Sequence, residues 1–286
     1  MIGRRRGTKL GVGERRMFAA GIGTLAWLVG LLWIFPVAWT VFTSFKTEQD
    51  AAEQTLHQGL TLGRYSDVSH STAGTLSLQT AFMNSLVVVL VSTVIVLLLA
   101  LPAAYALAIR PVHKWRDVLF FFISTKFLPV VASIFPIYVY AEKWNLIGTR
   151  TILIVLYIAI NLPLAIWMMR SFFVEVPREL IEASEIDGTS LFNQLRSVIL
   201  PIAAPGIAAT ALLCVIFAWN EYFYAIQLNF AGASTMPQWV IGNVSTRGNF
   251  LAKLSAASII ACLPVVLAGW AAQKRMIRGL SMGAIK

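Results

Sequence analysis

The chain has 286 residues, of which 58% are hydrophobic and 13% charged, with a formal net charge of +10. Soluble chains average roughly 45–50% apolar and about 25% charged residues, so this composition excludes intrinsic disorder and argues against a water-soluble globule. The positive charge alone would fit nucleic acid or anionic lipid. The basic residues, however, edge long apolar runs instead of forming one stripe, which favours a membrane and argues against nucleic acid.

Residues 1–16 form a basic N-terminus with Arg4, Arg5, Arg6, Lys9, Arg15 and Arg16. Crossing about 30 Å of hydrocarbon takes roughly 20 mostly apolar residues. Six stretches qualify: Met17–Phe42, Ala81–Ile109, Val118–Tyr140, Thr151–Met169, Ile202–Leu228 and Leu254–Ala272. Lipid offers no partner to backbone amides, so helices are expected. A β-barrel needs alternating polarity, whereas Leu86-Val87-Val88-Val89-Leu90-Val91 is continuously apolar. The first run exceeds the 7–15-residue core of a signal peptide and reads as an uncleaved span. Residues 43–80 carry Gly, Ser, Thr, His and acidic side chains and are predicted to make a partly structured cap on the outer face.

Sixteen Lys and Arg fall at the N-terminus, in the loops after spans two and four, and in the tail, against six on the opposite side. The positive-inside rule therefore places both termini in the cytoplasm. The predicted organisation is a cytoplasmic N-terminus (1–16), a six-helix permease domain (17–272) with a cytoplasmic loop at 170–201, and a cytoplasmic tail (273–286). Cys214 and Cys262 lie in apolar stretches, and His57, His70 and His113 have no metal-ligand spacing, so no disulfide framework or metal site is indicated.

Pro36, Pro102, Pro129, Pro136, Pro163, Pro205 and Pro264 fall in or beside the spans. Each removes a backbone donor, which means either ordinary kinking or broken helices along a moving pathway. Two charges also fall inside spans, Lys126 in Ser124-Thr125-Lys126 and Glu221 in Trp219-Asn220-Glu221-Tyr222. A charge at the bilayer centre costs roughly 2.5–3.5 kcal/mol on insertion scales. These residues are expected to snorkel, to pair with each other, or to line a pathway. Lys126, Asn220 and Glu221 are the candidate pathway residues, because a few polar groups beside aromatics suit a weak carbohydrate site. No catalytic or ATP-binding constellation is visible.

The sharpest local pattern lies between spans four and five. Pro177 is placed to start a helix, Glu179 falls in its first turn, and Gly188 is placed to end it. Ala183 and Ser184 are small enough to let a partner approach, and Leu191 and Phe192 add apolar contacts. The acidic residues Glu179, Glu182, Glu185 and Asp187 would be repelled by an anionic leaflet, so a protein partner explains this helix better than a lipid surface.

The stretch Glu182-Ala183-Ser184-Glu185-Ile186-Asp187-Gly188-Thr189-Ser190, with Val198-Ile199-Leu200-Pro201 beyond it, resembles the EAA loop of binding-protein-dependent ABC importer permeases. The family pattern is Glu-Ala-Ala, three residues, Gly, nine residues, then Ile-x-Leu-Pro. Glu182, Ala183, Gly188, Leu200 and Pro201 are in register, while Ser184 and Val198 depart from it. Met169-Arg170-Ser171-Phe172-Phe173, Trp219-Asn220-Glu221 and the ending Arg278 to Lys286 resemble the carbohydrate branch, and within it the second membrane subunit of maltose-type or sugar-alcohol importers.

The resemblance implies an all-α membrane protein with the type I ABC importer fold, a non-catalytic subunit of the bacterial-type inner membrane. It implies a second permease subunit, two ATPase subunits that hold ATP and Mg, an external solute-binding protein, and no cofactor on this chain. Glu182, Ala183, Ser184, Asp187, Gly188, Leu191 and Phe192 are the implied ATPase-coupling residues. Two other readings remain open from the residues alone. One is an ion-coupled secondary carrier with Lys126 and Glu221 as its titrating pair. The other is a structural subunit with no pathway.

Overall fold

The computed structural model describes residues 12–54, 59–70, 72–73, 76–110, 112–229, 232–242 and 250–283, with backbone only over 12–19, 72–73, 76 and 274–283. The basic residues before position 12, and the last three of the tail, lie outside the described residues. In chain order the elements are α1 (Val12–Thr43), α2 (Glu48–Ala52), α3 (Gly63–Ser69), β1 (Thr72–Ala73), β2 (Leu76–Ser77), α4 (Leu78–Ala108), α5 (Trp115–Ser124), α6 (Val130–Lys143), α7 (Arg150–Val174), α8 (Arg178–Ile186), α9 (Leu191–Gln194), α10 (Leu200–Trp219), α11 (Phe223–Leu228), α12 (Met236–Gly242) and α13 (Leu251–Gly283).

Five of these segments are long and apolar enough to cross a membrane: Ala20–Thr43, Leu78–Ala108, Arg150–Val174, Leu191–Trp219 and Leu251–Gln273. A sixth is broken. Trp115–Phe127 and Val130–Lys143 meet at 88°, so the straight span expected over Val118–Tyr140 is corrected to two halves. Pro129 explains the break, because it has no amide proton and holds Leu128 in extended backbone (ψ 128°). The expected fifth span is also corrected. Its helix ends at Trp219, and the chain restarts as α11 after Asn220-Glu221-Tyr222.

The bundle is organised around α4 and α7. One face of α4 buries Ala81, Ser85, Ser92, Ala100 and Ala104, spaced three or four residues or whole turns apart. Small residues on that stripe let the α7 backbone come close, the main source of helix affinity in lipid. From α7, Leu153, Tyr157, Ile166, Met169 and Phe173 fill the space. The core divides in two along the helix axes. One half gathers Leu153, Tyr157, Trp219, Leu228 and Trp239, and the other Val96, Ile166, Met169, Phe173 and Ile199. By contrast α1 packs along α13 and leaves Trp27, Leu32, Trp33 and Phe35 exposed.

Between residues 43 and 80 the described chain folds as α2, α3 and a two-residue antiparallel ribbon that pairs Thr72 with Ser77. Lys46 is buried over the rings of Trp39 and Phe42. The Glu48 carboxylate accepts from the amides of Ala252 (3.1 Å) and Lys253 (2.8 Å). It thereby satisfies donors at the start of α13 that the helix cannot use itself. Glu48→Ala is expected to cost about 1–2 kcal/mol, read as faster hydrogen–deuterium exchange at Ala252 and Lys253. Unchanged exchange there would remove the capping role.

Candidate functional site

The loop after α7 folds as its sequence punctuation dictates. Pro177 stands immediately before α8, Glu179 is in the first turn, Asp187 closes the helix, and Gly188 turns the chain at φ +70°. Ser190 then caps α9 by accepting from the Asn193 amide. The Thr189 amide (3.1 Å) and hydroxyl both donate to the Ser184 carbonyl. The C-terminal end of the short helix is thus fixed by hydrogen bonds, while Pro177 restricts the backbone at its start.

The two faces of α8 differ. Ile181 and Ser184 point into the chain. Glu182, Ala183, Ile186, Asp187, Gly188, Leu191 and Phe192 are exposed, with Ile186 at 86% and Phe192 at 68%. An apolar trio rimmed by carboxylates is the anatomy of a protein-binding patch. Ser184 is therefore a correction. It is buried and spends its hydroxyl inside the chain, donating to the Ile181 carbonyl (2.7 Å) and accepting from Gln194 Nε2 (2.8 Å). Ile186 is the residue that sequence reasoning missed, although it lies one helical turn beyond Glu182 and shares its side.

The loop is fastened at two points, one on α4 and one just beyond its C-terminal end. Arg110 Nη2 donates to Glu185 Oε1 at 2.7 Å. Hydrogen bonding to Glu185 raises the Arg110 pKa, and the same bond holds the Glu185 carboxyl below its ordinary range. A depressed carboxylate pKa means the pair is intact above that range and opens only as pH falls through Glu185's lowered value, so no change is expected between about pH 6 and 8. The second point is buried at its Gln194 end and half-buried at Tyr105. Tyr105 OH donates to Gln194 Oε1 at 2.7 Å, and Gln194 Nε2 donates to Ser184 Oγ and, at 3.3 Å, to the Ile181 carbonyl. Nearby, Arg170 Nε donates to the Leu107 carbonyl (3.2 Å) and its guanidinium stacks 3.9 Å from the Trp115 ring.

The three pathway candidates do not converge. Lys126 Nζ donates to the Ile160 carbonyl at 2.6 Å, three residues before Pro163, whose ring opens the carbonyls of the preceding turn. The Glu221 carboxylate accepts from the amides of Tyr224 (2.9 Å) and Ala225 (3.3 Å), capping α11. Asn220 Nδ2 donates back to the Ile216 carbonyl at 2.8 Å. Among the described residues no ion pair or hydrogen bond joins Lys126 to Glu221 or Asn220, so the expected mutual pair is corrected. Each charge is instead matched to a backbone group freed where its own or a neighbouring helix breaks.

The chain matches the family model described as "Binding-protein-dependent transport system inner membrane component" over residues 97–276. It is 31% identical to the sulfoquinovosyl glycerol transport system permease protein SmoH of Agrobacterium fabrum, over 88% of this chain and 89% of that protein. It is 30% identical to the trehalose/maltose transport system permease protein MalG of Thermococcus litoralis, over 91% and 94%. A permease chain in the crystal structure of a bacterial ABC transporter involved in alginate import superposes with a TM-score of 0.72 at 22% identity, over 93% of this chain and 99% of that one. The family match and the relatives, with the fold, define a multi-pass membrane subunit of an ABC importer. The chain belongs to the binding-protein-dependent transport system inner membrane component family. As such it is a transport component that works with a binding protein and an ATPase. The ion-coupled carrier reading is not favoured by this, and among the described residues Lys126 and Glu221 do not pair.

Proposed function

We propose that the chain is the second-permease-type subunit of an ATP-driven importer for a carbohydrate. It would pair with a different permease, receive solute from an external binding protein, and be driven by two ATPase subunits that hold ATP and Mg. Both termini and the α8–α9 loop face the cytoplasm of a bacterial-type inner membrane. The observation that carries the reading is the α8 helix with Glu182, Ala183, Ile186, Asp187, Leu191 and Phe192 on its free side. The carbohydrate class is supported by the relatives, since the names of SmoH and MalG both specify glycosides.

Co-purification in mild detergent tests the assembly. An ATPase and a second permease are expected to accompany this chain, and vesicles containing all of them should take up sugar only with ATP and the binding protein. Uptake by this chain alone, collapsed by an uncoupler and indifferent to ATP, would overturn the proposal. Lys126, Asn220 and Glu221 remain pathway candidates in which the backbone contacts hold the groups in place. Glu221→Ala is expected to change the transport rate several-fold without loss of assembly. The initial uptake velocity of the reconstituted importer decides it, and unchanged kinetics would strike Glu221 from the pathway.

A further inference from the structure

In sequence, the coupling loop is attached to α7 before it and to α10 after it. In space it is also tied to α4 and to Arg110 just beyond its end, 75 to 89 residues earlier in the chain. The two ties differ in kind. Arg110 and Glu185 are exposed at 53% and 45%, so water and salt screen their attraction. Gln194 is buried, at 1% exposure, and its amide bonds to Tyr105, Ser184 and Ile181 while also interacting with the neighbouring Glu185 carboxylate. A buried, satisfied polar bridge fixes one arrangement and resists sliding, because breaking it strands polar groups away from water. The Ser184 hydroxyl at its centre stands where the family pattern has an alanine. This chain therefore carries a bond that the alanine cannot make. Gln194 also sits at the end of α9, immediately before a π-helical turn over Leu195–Ile199 that leads into α10. Such turns mark places where a helix can change register.

We infer that Tyr105 and Gln194 are positioning residues that clamp α8 to α4, so that a displacement of the coupling loop carries α4 with it as one body. The flexible side of the loop is then the π-helical turn, across which α10 moves relative to α8. The inference rests on the proposed ATPase-driven function and adds which transmembrane helix receives the motion.

The test uses the importer purified with its own ATPase and second permease, with Cys214 and Cys262 replaced by Ala. Spin labels at Glu179 on α8 and Leu98 on α4 are measured without nucleotide and after trapping with ATP and vanadate. In otherwise wild-type protein the Glu179–Leu98 distance is expected to stay fixed, while Glu179 to Val266 on α13 shifts by about 2 Å or more, the scale of helix displacement in such transitions. Tyr105→Phe, which removes only the hydroxyl, and Gln194→Leu should both let the Glu179–Leu98 distance shift on trapping. ATP hydrolysed per sugar imported should rise about tenfold. Arg110→Gln should leave the distance fixed.

A Glu179–Leu98 distance that changes in the wild-type complex, or stays fixed in both variants, overturns the clamp while leaving the importer reading intact. A Glu179–Val266 distance that does not move on trapping likewise overturns the clamp, since there is then no motion to transmit. A purified complex that neither contains an ATPase nor hydrolyses ATP overturns both.

Discussion

Glu182→Lys is expected to leave the protein in the membrane at its normal level and to abolish uptake. The side chain is exposed on α8 and makes no hydrogen bond or ion pair within the chain among the described residues, so its loss costs this fold no more than about 0.5 kcal/mol. At a protein interface the same change reverses a charge that has lost its water, and such losses run to about 2–5 kcal/mol. That is enough to weaken ATPase docking by a factor of about thirty or more. The measurement is a comparison of three quantities: the chain in membrane fractions, the ATPase retained on purification, and sugar taken up per ATP hydrolysed. Normal uptake by the variant would show that α8 is not the point of engagement.

Gly206→Ala should be the most damaging small substitution in the membrane region. Gly206 is buried where α10 crosses α7, and a Cβ built on it would run into Cγ and Cδ2 of Phe172. The clash falls at the root of the aromatic ring, so it is relieved only by a new χ1 rotamer of Phe172 or by a shift of the helix backbones. Overpacking of this kind costs about 1–3 kcal/mol, and a larger residue than Ala should cost more. The expected result is a lower unfolding temperature in detergent, largely restored when Phe172→Ala is added to clear the space. An unchanged unfolding temperature for Gly206→Ala would mean that the two helices are not held at this spacing.

The membrane helices were legible because a span is a local property. An unbroken apolar run such as Leu86–Val91 needs no knowledge of its neighbours to be read. Helix α8 is legible for the same reason, since Pro177 and Gly188 start and stop it by backbone chemistry alone. The errors came where a local signal was present but its strength was misjudged. Pro129 was read as one kink among seven and is the corner of an 88° bend. By its apolar flanks Asn220-Glu221 falls inside a span, whereas in the structure it ends one helix and caps the next. The helical phase already placed Ser184 with Ile181 on the buried side, away from Glu182.

Other contacts had no local signal at all. Tyr105 meets Gln194 across 89 residues, Arg110 meets Glu185 across 75, and Glu48 meets Ala252 across 204. Each is a polar pair created by the topology, and nothing in either flanking sequence marks the other. The residues that define the candidate docking surface were therefore readable, while those that anchor it to the rest of the bundle were not.

The Glu48 contact bears on how the protein is made. Glu48 leaves the ribosome 204 residues before the amide it caps, a delay of about 10–40 s at ordinary rates of synthesis. Throughout that interval the segment around α2 has emerged with no final helix to close upon. Its closure thus reports that the last span has been inserted in the right direction, since only then do the first amides of α13 arrive on the same side as Glu48.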